Sequence, residues 1–537
     1  MESNPLSFKN RIFETLNKYS SKVLFSDESQ KAWIGSEIQS LIVKLSQHIQ
    51  SQTQAGERVG IIFENNSIAT IAILSAIAAE RVPVILNMID VRQNSENWLN
   101  KCQAQLFIIS HDLELSSPFN KLQISPSGEI LNPESDAKSP QSLTLQKFIL
   151  HPPKGTGVIL YTSGSTGEPK EVFIPELGIL NTSDYLQEYF SLNEQTVASI
   201  VLPICHSMAL NTQLFPTFFA GGFCSFHNFS LISNKLFRTF KNENGTFISL
   251  IGDVLRVCWE EKQKKNLSPC NSVEHIQLAG GTISQRHLEM AQELFPKSKI
   301  HKGYGLTEAI RVTMISNENP LFLTGCVGKN LPFLKIQIRN EFGEILPARE
   351  SGEVFVHGDS MMLGFRKLSA PTINFTDLQK FLATGDVGEL DEEGNLYISG
   401  RMDSLFKIQG KRISGFEIEK IVLQANESIR FAKCIASEEP QTSRQKIILF
   451  LEMDKKLWGD SHFEMTEDLE LQIWNQLTKL SVFPREIVIL QQMPRTSNGK
   501  LNIHALHQIW KSKEVKDLMK KTNINLSFFQ TEGSENL

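Results

Sequence analysis

Cysteine is sparse in this chain of 537 residues: Cys102, Cys205, Cys224, Cys258, Cys270, Cys326 and Cys434 are all there is, and the closest pair, Cys258 and Cys270, stands twelve positions apart. No C-x-x-C metal or redox pair is therefore available, and an odd, dispersed set reads as the reduced thiols of a cytosolic protein. An excess of one charge is lacking too. With 54 basic and 59 acidic side chains the net charge is −5, which offers no bulk attraction to nucleic acid or to an anionic membrane. Long apolar runs are missing: the best, Ser67 to Ala79, is shorter than the roughly 20 residues of a membrane span and contains Thr70 and Ser75. The opening MESNPLSFKNRIFETL has charges every few positions and no apolar stretch of a secretory signal.

A Walker loop is missing as well, although YTSGSTGEPKEV (Tyr161–Val172) has the composition of a phosphate loop. Only Ser165 and Thr166 separate Gly164 from Gly167, and Lys170 follows three residues later. The loop leaves the apolar run TGVILY, where glycines let backbone N–H groups face an anion, but such composition alone is more often turn chemistry.

The length exceeds the roughly 250–300 residues at which one core stops growing, so several domains are expected. ERVGIIFEN, NSIATIAILSAIAA and VPVILNM read as strand, helix and strand, a β-α-β unit of a parallel sheet. TVASIVLPI, ALNTQLFPTFFAGG, TFISLIG, HIQLAGG and SKIHKGYG repeat that texture. Beyond about residue 320, short strands broken by Gly, Asp and Asn indicate a small antiparallel sheet or barrel. RQKIILFLEM, DLELQIWNQLTKL and EIVIL then form a separate α+β unit. Ser125–Ser142 reads as an exposed loop, and the tail after about Ser512 shows no core pattern.

Four more segments follow in order: GYGLTEA (Gly303–Ala309), ATGDVGEL (Ala383–Leu390), GRMDSLFKIQGKRISGFEIE (Gly400–Glu419) and RTSNGK (Arg495–Lys500). Singly each is ordinary. Thr307 could cap a helix with Glu308 in its first turn, TGD is a common turn, and a loop lysine is normally solvated. Together with the glycine-rich loop they resemble the adenylate-forming superfamily of acyl- and aryl-CoA synthetases, nonribosomal peptide adenylation domains and luciferases, over about residues 60–500.

That resemblance implies an α/β fold: a large N-terminal domain of two α/β subdomains plus a small β-barrel (1–402), then a small mobile α+β domain (403–537) hinged at Asp403. It implies ATP and Mg²⁺, with Thr162, Ser163, Gly164, Ser165, Thr166, Gly167 and Lys170 on the β- and γ-phosphates. Gly280 and Tyr304 would lie at the adenosine, Thr307 on the α-phosphate, Glu308 on the metal, Asp386 on the ribose and Arg401 beside it. Lys500 would bridge the acid and the α-phosphate in adenylation, whereas Lys407, Gly410 and Lys411 would face the thiol afterwards. Such chemistry brings two anions together, so fixed donors and cations are what it needs.

By position, the acid pocket would be lined by Met208, Ala209, Thr212, Ser249, Asp253, Gln277, Ala279, Gly303 and Arg311, with His206 near the acyl group. Met208 stands where peptide-assembly domains commonly place the aspartate that grips an α-amine. Asp253 is either a substitute amine partner or an N-cap for a helix from Val254. Glu171 departs from the glycine common in that family, and could pair with Lys170 or shift the loop. The reading is a stand-alone ligase that makes an acyl-adenylate from a small or medium carboxylic acid and passes the acyl group to coenzyme A or a separate carrier protein. Only 37 residues follow Lys500, too few for a carrier bundle. Its rivals are a free-standing amino-acid adenylating enzyme, for a proline-like substrate, a nucleotide-binding regulator without turnover, and a luciferase-like oxygenase.

Overall fold

The computed structural model describes residues 7–115, 119–131, 151–162, 169–228, 235–279, 283, 285–370, 372–402, 405–408, 411–426, 428–438, 445–454, 457, 467–478, 484, 486–495, 501–512 and 526–529. The chain divides into two units: one of residues 1–337, 355–383 and 392–396, the other of 338–354, 384–391 and 397–537.

The first unit is built on two sheets. In one, the strands run in the order Asn374–Phe375, Gly364–Lys367, Lys170–Pro175, Thr156–Thr162, Val82–Asn87, Arg58–Phe63, Leu106–Ser110 and Lys121–Ile124. The β-α-β unit read from the sequence is present: Arg58–Phe63 and Val82–Asn87 pair in parallel, joined by the helix Ser67–Ala78. Every residue of that helix is buried, because it is packed between the helix Gly35–Gln52 and the two strands it connects. An all-round apolar helix is what such a double-sided position selects. Among the described residues, no helix is long and apolar enough to cross a membrane.

In the other sheet of this unit, Lys299–Lys302, His275–Ala279, Phe247–Ile251, Val197–Ile200, Phe223–Phe226 and Val23–Ser26 are successive parallel neighbours. Thr313–Ser316 turns back antiparallel beside Lys299–Lys302. The segment ALNTQLFPTFFAGG is helical, with a π-turn at Leu210–Leu214 between the helical residues Ser207–Ala209 and Phe215–Phe219. The described part of the expected loop, Ser125–Leu131, folds back as a tight turn, with Leu131 donating to Gln123 O at 2.9 Å.

In the second unit, strands Ile429–Glu438 and Gln445–Met453 pair antiparallel, and Glu486–Leu490 joins in parallel. Both faces are covered. Ile447, Leu449 and Leu451 face the helices Gly415–Leu423 and Glu467–Leu477, whereas Ile448 and Phe450 pack with Leu506 and Trp510 of the helix Ile503–Lys511. The polar tail supplies one more strand than the sequence suggests: Leu526–Phe529 pairs in parallel with Glu486–Leu490. Its four residues are too short a run to show periodicity.

Candidate active site

The glycine-rich segment connects two antiparallel strands. These are Thr156–Thr162 and Lys170–Pro175, with Thr162 opposite Lys170 and Tyr161 opposite Glu171. A Walker loop leads from a strand into a helix N-terminus; a loop between two antiparallel strands has no helix to feed, so that spacing has no structural reason to appear here. Ser163, Gly164, Ser165, Thr166 and Gly167 lie outside the described residues, as do Gly280, Asp403, Gly410 and Lys500.

Glu171 does not pair with Lys170. Successive strand residues point to opposite faces, and Glu171 points inward, fully buried, where it meets Arg366 Nε at 2.6 Å and Arg58 Nη1 at 3.0 Å. The Tyr161 hydroxyl also donates to it at 2.8 Å. Burial works against the charge on Arg366, but the bond and field of Glu171 outweigh it and raise that guanidinium's pKa. Burial, and then Glu171, hold the Tyr161 phenol well above its ordinary range. Lys170 takes the other face, its Nζ 5.5 Å from the centre of the Phe365 ring.

GYGLTEA spans the turn between Lys299–Lys302 and Thr313–Ser316, beyond the carboxyl end of the parallel strands, where α/β folds place ligands. Thr307–Ala309 is a single 3-10 turn capped by the backbone of Leu306, so Thr307 is not a helix cap and its hydroxyl is not committed to that role. Tyr304 O accepts from Val312 N at 2.9 Å and Thr313 N at 3.1 Å, closing the turn on itself. Gly303 and Gly305 permit this: a Cβ at 303 would stand 2.4 Å from Thr313 O, and one at 305 would stand 2.6 Å from Ile310 O. Between Glu308 and Arg311, Ile310 has φ +56° and ψ −83°. A β-branched residue in this region is strained by about 1–3 kcal/mol, and such strain concentrates at functional turns. Glu308 is half-buried and its carbonyl is held by Met362 N at 2.8 Å.

The expected acid pocket converges in part. Gln277, on His275–Ala279, lies beside Ser249 in register. Thr212 Oγ1 accepts from Gln277 Nε2 at 2.8 Å and from Arg311 Nη2 at 3.4 Å, while its own proton goes to Met208 O at 2.7 Å. Ala209, buried, is the last residue of Ser207–Ala209, and Ala279 ends the strand. Burial lowers the Arg311 pKa to about 10, with the Tyr189 phenol opposing, so the group remains a cation at neutral pH. A wide groove of about 430 Å³, lined by Trp33, Glu37, Lys44 and Gly128 among others, shares no residue with this site.

His206 is the N-cap residue of Ser207–Ala209, but its side chain makes no capping bond. Asp253 is not a cap either. The helix begins at Gly252 behind Ile251, which places Asp253 in the first turn, 3.4 Å from Arg256. Its carboxylate therefore already has a cation. On the second unit, Arg401 Nη1 reaches Asp386 Oδ1 at 3.3 Å, and Thr384 Oγ1 accepts from Asp386 N while donating to Val354 O. Gly385, at φ +73°, keeps the Arg401 side free: a Cβ there would meet Nη2 at 3.2 Å. On either side of residues 496–500, Arg495 and Leu501 form a bridge and Asn502 N donates to Pro494 O at 2.8 Å. Lys407 and Lys411 lie on the hairpin Leu405–Ile408 and Lys411–Ser414.

Several groups escape a motif search. Asn65, just past a parallel strand, donates to Leu202 O and His227 O and accepts from Ile204 N, fixing the segment that leads to His206. A polar residue at such a strand exit was the available signal. Beside Gln277 in register, His301 sits 3.0 Å from His275 and 3.2 Å from the Tyr189 hydroxyl. Burial, then His275 and Lys299, depress the His301 pKa from 6.5 to about 3, and burial lowers that of His275 as well. Both rings are neutral in the fold but bind protons in the unfolded chain below about pH 6.5. The stability is complete above that pH and is lost progressively as pH falls toward about 3. The thermal midpoint is thus expected to drop between about pH 7 and pH 5, and His301→Gln to flatten that slope.

The model of the family described as AMP-binding enzyme matches residues 12–366. The chain belongs to the AMP-binding enzyme family. It is 23% identical over 461 residues to an oxalate–CoA ligase of Arabidopsis thaliana, covering 83% of this chain and 87% of that one. To a D-alanine–D-alanyl carrier protein ligase of Bacillus licheniformis it is 25% identical over 357 residues, 65% of this chain and 70% of the relative. An o-succinylbenzoate coenzyme A synthetase of Bacillus subtilis, solved with ATP and a magnesium ion, matches with a TM-score of 0.73 at 21% identity, covering 92% of this chain and 98% of that one. The fold is that of the adenylate-forming enzymes, and this member is an adenylate-forming ligase of the acyl-CoA synthetase kind.

Proposed function

We propose that this family member activates a small or medium carboxylic acid with ATP and transfers it to a thiol. A carboxylate oxygen attacks the α-phosphorus, the bond to the β-phosphate breaks and pyrophosphate leaves. The thiol then attacks the acyl carbon and AMP departs. The observation that carries this reading is the strained turn Gly303–Thr313, which leaves Tyr304, Thr307 and Glu308 half-buried and buries Arg311.

Thr162, Lys170 and the loop between them would grip the outgoing phosphates, Thr307 and Lys500 the α-phosphate, Asp386 and Arg401 the ribose, and Tyr304 with Gly280 the adenosine. Among the described residues no group of three His, Cys, Asp or Glu side chains is placed to cage a metal. A lone carboxylate suits Mg²⁺, which is commonly held by one or two carboxylates together with substrate phosphates, and Glu308 would supply it. That ion neutralises phosphate charge when bound. The boundary at 402/403, with Asp403 as hinge, would let the domain 403–537 present Lys500 in the first half-reaction and Lys407, Gly410 and Lys411 in the second. The acceptor is coenzyme A or a separate acyl or peptidyl carrier protein, and the curated relatives include a ligase named for each.

The amino-acid reading is disfavoured by Asp253, whose carboxylate is already engaged by Arg256. A panel of aliphatic, aromatic and amino acids in ATP–pyrophosphate exchange tests the choice. Acids without an α-amine are expected to drive exchange, and Asp253→Ala to change it less than about threefold, as suits a first-turn carboxylate paired near the surface. Exchange with amino acids alone, abolished by that substitution, overturns the reading. ATP binding with no exchange for any acid would establish the nucleotide-binding regulator instead.

A further inference from the structure

Arg311 is 3% exposed, and no Asp or Glu among the described residues pairs with it. Its polar surroundings are Thr212 Oγ1 at 3.4 Å and the phenol of Tyr189, and its Nε has no hydrogen-bond partner among the described residues. Thr212 is fully used, because it accepts from Gln277 and Arg311 and donates to Met208 O. The hydroxyl of Ser249, in register beside Gln277, is fully buried and likewise without a partner among the described residues. Above the guanidinium stands half-buried Gly303, where a Cβ would come within 2.8 Å of Nη1. The absent side chain lets the guanidinium pack directly against the turn that carries Thr307 and Glu308.

A buried guanidinium without a counter-ion is costly, and the cost is offset where a ligand brings the opposite charge. Arginine's planar fork matches a carboxylate, and Ser249 can donate a further hydrogen bond. We propose that the acid activated here carries a second carboxylate, held by Arg311 and Ser249, while the first is the one adenylated. This rests on the acid-activating reading above and narrows it to diacids. An ammonium group in the same place would face a buried cation, so a zwitterionic amino acid is a poor occupant for the same reason.

The test compares α,ω-diacids of about three to six carbons with their monomethyl esters, which keep one reactive carboxylate and nearly the same length. In the wild-type protein, kcat/KM for ATP–pyrophosphate exchange is expected to favour the best diacid over its ester by about 100-fold or more, because a site built around a polar group rejects the analogue lacking it. Arg311→Met should bring that ratio near one, and Arg311→Lys should restore part of it. Equal rates for diacid and ester in the wild type overturn the proposal, and that comparison needs no variant to fold. So does a loss in Arg311→Met that is the same for both compounds, which would mark a structural role or a grip on the reacting carboxylate. Exchange with monoacids but no diacid sinks the diacid alone. Exchange with no acid of any kind sinks the acid-activating reading itself.

Discussion

Glu171→Ala is expected to destabilise the protein by about 3–5 kcal/mol, the usual cost of removing one partner from a buried ion pair. Here the deletion strands two guanidinium groups, Arg58 and Arg366, each no more than 2% exposed, and removes the acceptor of the Tyr161 hydroxyl. Neither arginine can swing to water: Arg58 Nη1 also donates to Cys102 O at 3.0 Å, and Arg366 also bonds the Lys101 carbonyl. Denaturant unfolding would read the loss as a lower midpoint at constant slope. A change below about 1 kcal/mol would mean that water reaches both cations and that the network is not a buried one. Because Tyr161 and Glu171 are the rungs next to Thr162 and Lys170, the damage falls on the strands that the glycine-rich segment connects.

Lys500→Ala is expected to lower acid-dependent ATP–pyrophosphate exchange by about 100- to 1000-fold, the range for losing one fixed donor at a centre of developing charge. The two half-reactions separate its role. Supplied with synthetic acyl-adenylate and thiol, the variant should lose far less, since no bond to phosphorus forms in that step. Equal losses in both assays would place Lys500 outside the first chemical step. The residues before its segment are anchored independently of the lysine: Met493 N donates to Glu452 Oε2 at 2.9 Å, and Arg495 approaches the same carboxylate at 3.8 Å. Folding should therefore survive the substitution.

The strands and helices of the first unit were legible because apolar runs such as GIIF and AILSAIAA differ sharply in length and are bounded by turn residues. Motif order was enough to name the family. Four things were hidden, each for a physical reason. Glu171 looked like a loop residue because its partners are 113 and 195 positions away, beyond any local pattern. Asp253 looked like a cap because capping and first-turn residues share a composition, and here it stands two positions past the cap at Ile251. Leu526–Phe529 gains its strand identity from Glu486–Leu490 rather than from its own sequence. The relation of Arg311 to Thr212 and Gln277 likewise exists only once the π-turn and the parallel strands are assembled.

Ile310 has a consequence for how this protein could change. Ala309 and Ile310 separate Glu308 from Arg311; Ile310 has left-handed backbone, and its carbonyl fills the space that a side chain at Gly305 would need. A replacement that lets this residue relax re-aims both neighbours together. On the proposed assignment of Glu308 to the nucleotide's metal and Arg311 to the acid, divergence toward new acids would be mechanically linked to nucleotide handling at this turn, and variation that leaves Ile310 in place, at Ser249, Thr212 or Gln277, would be the route by which specificity drifts without disturbing the rest.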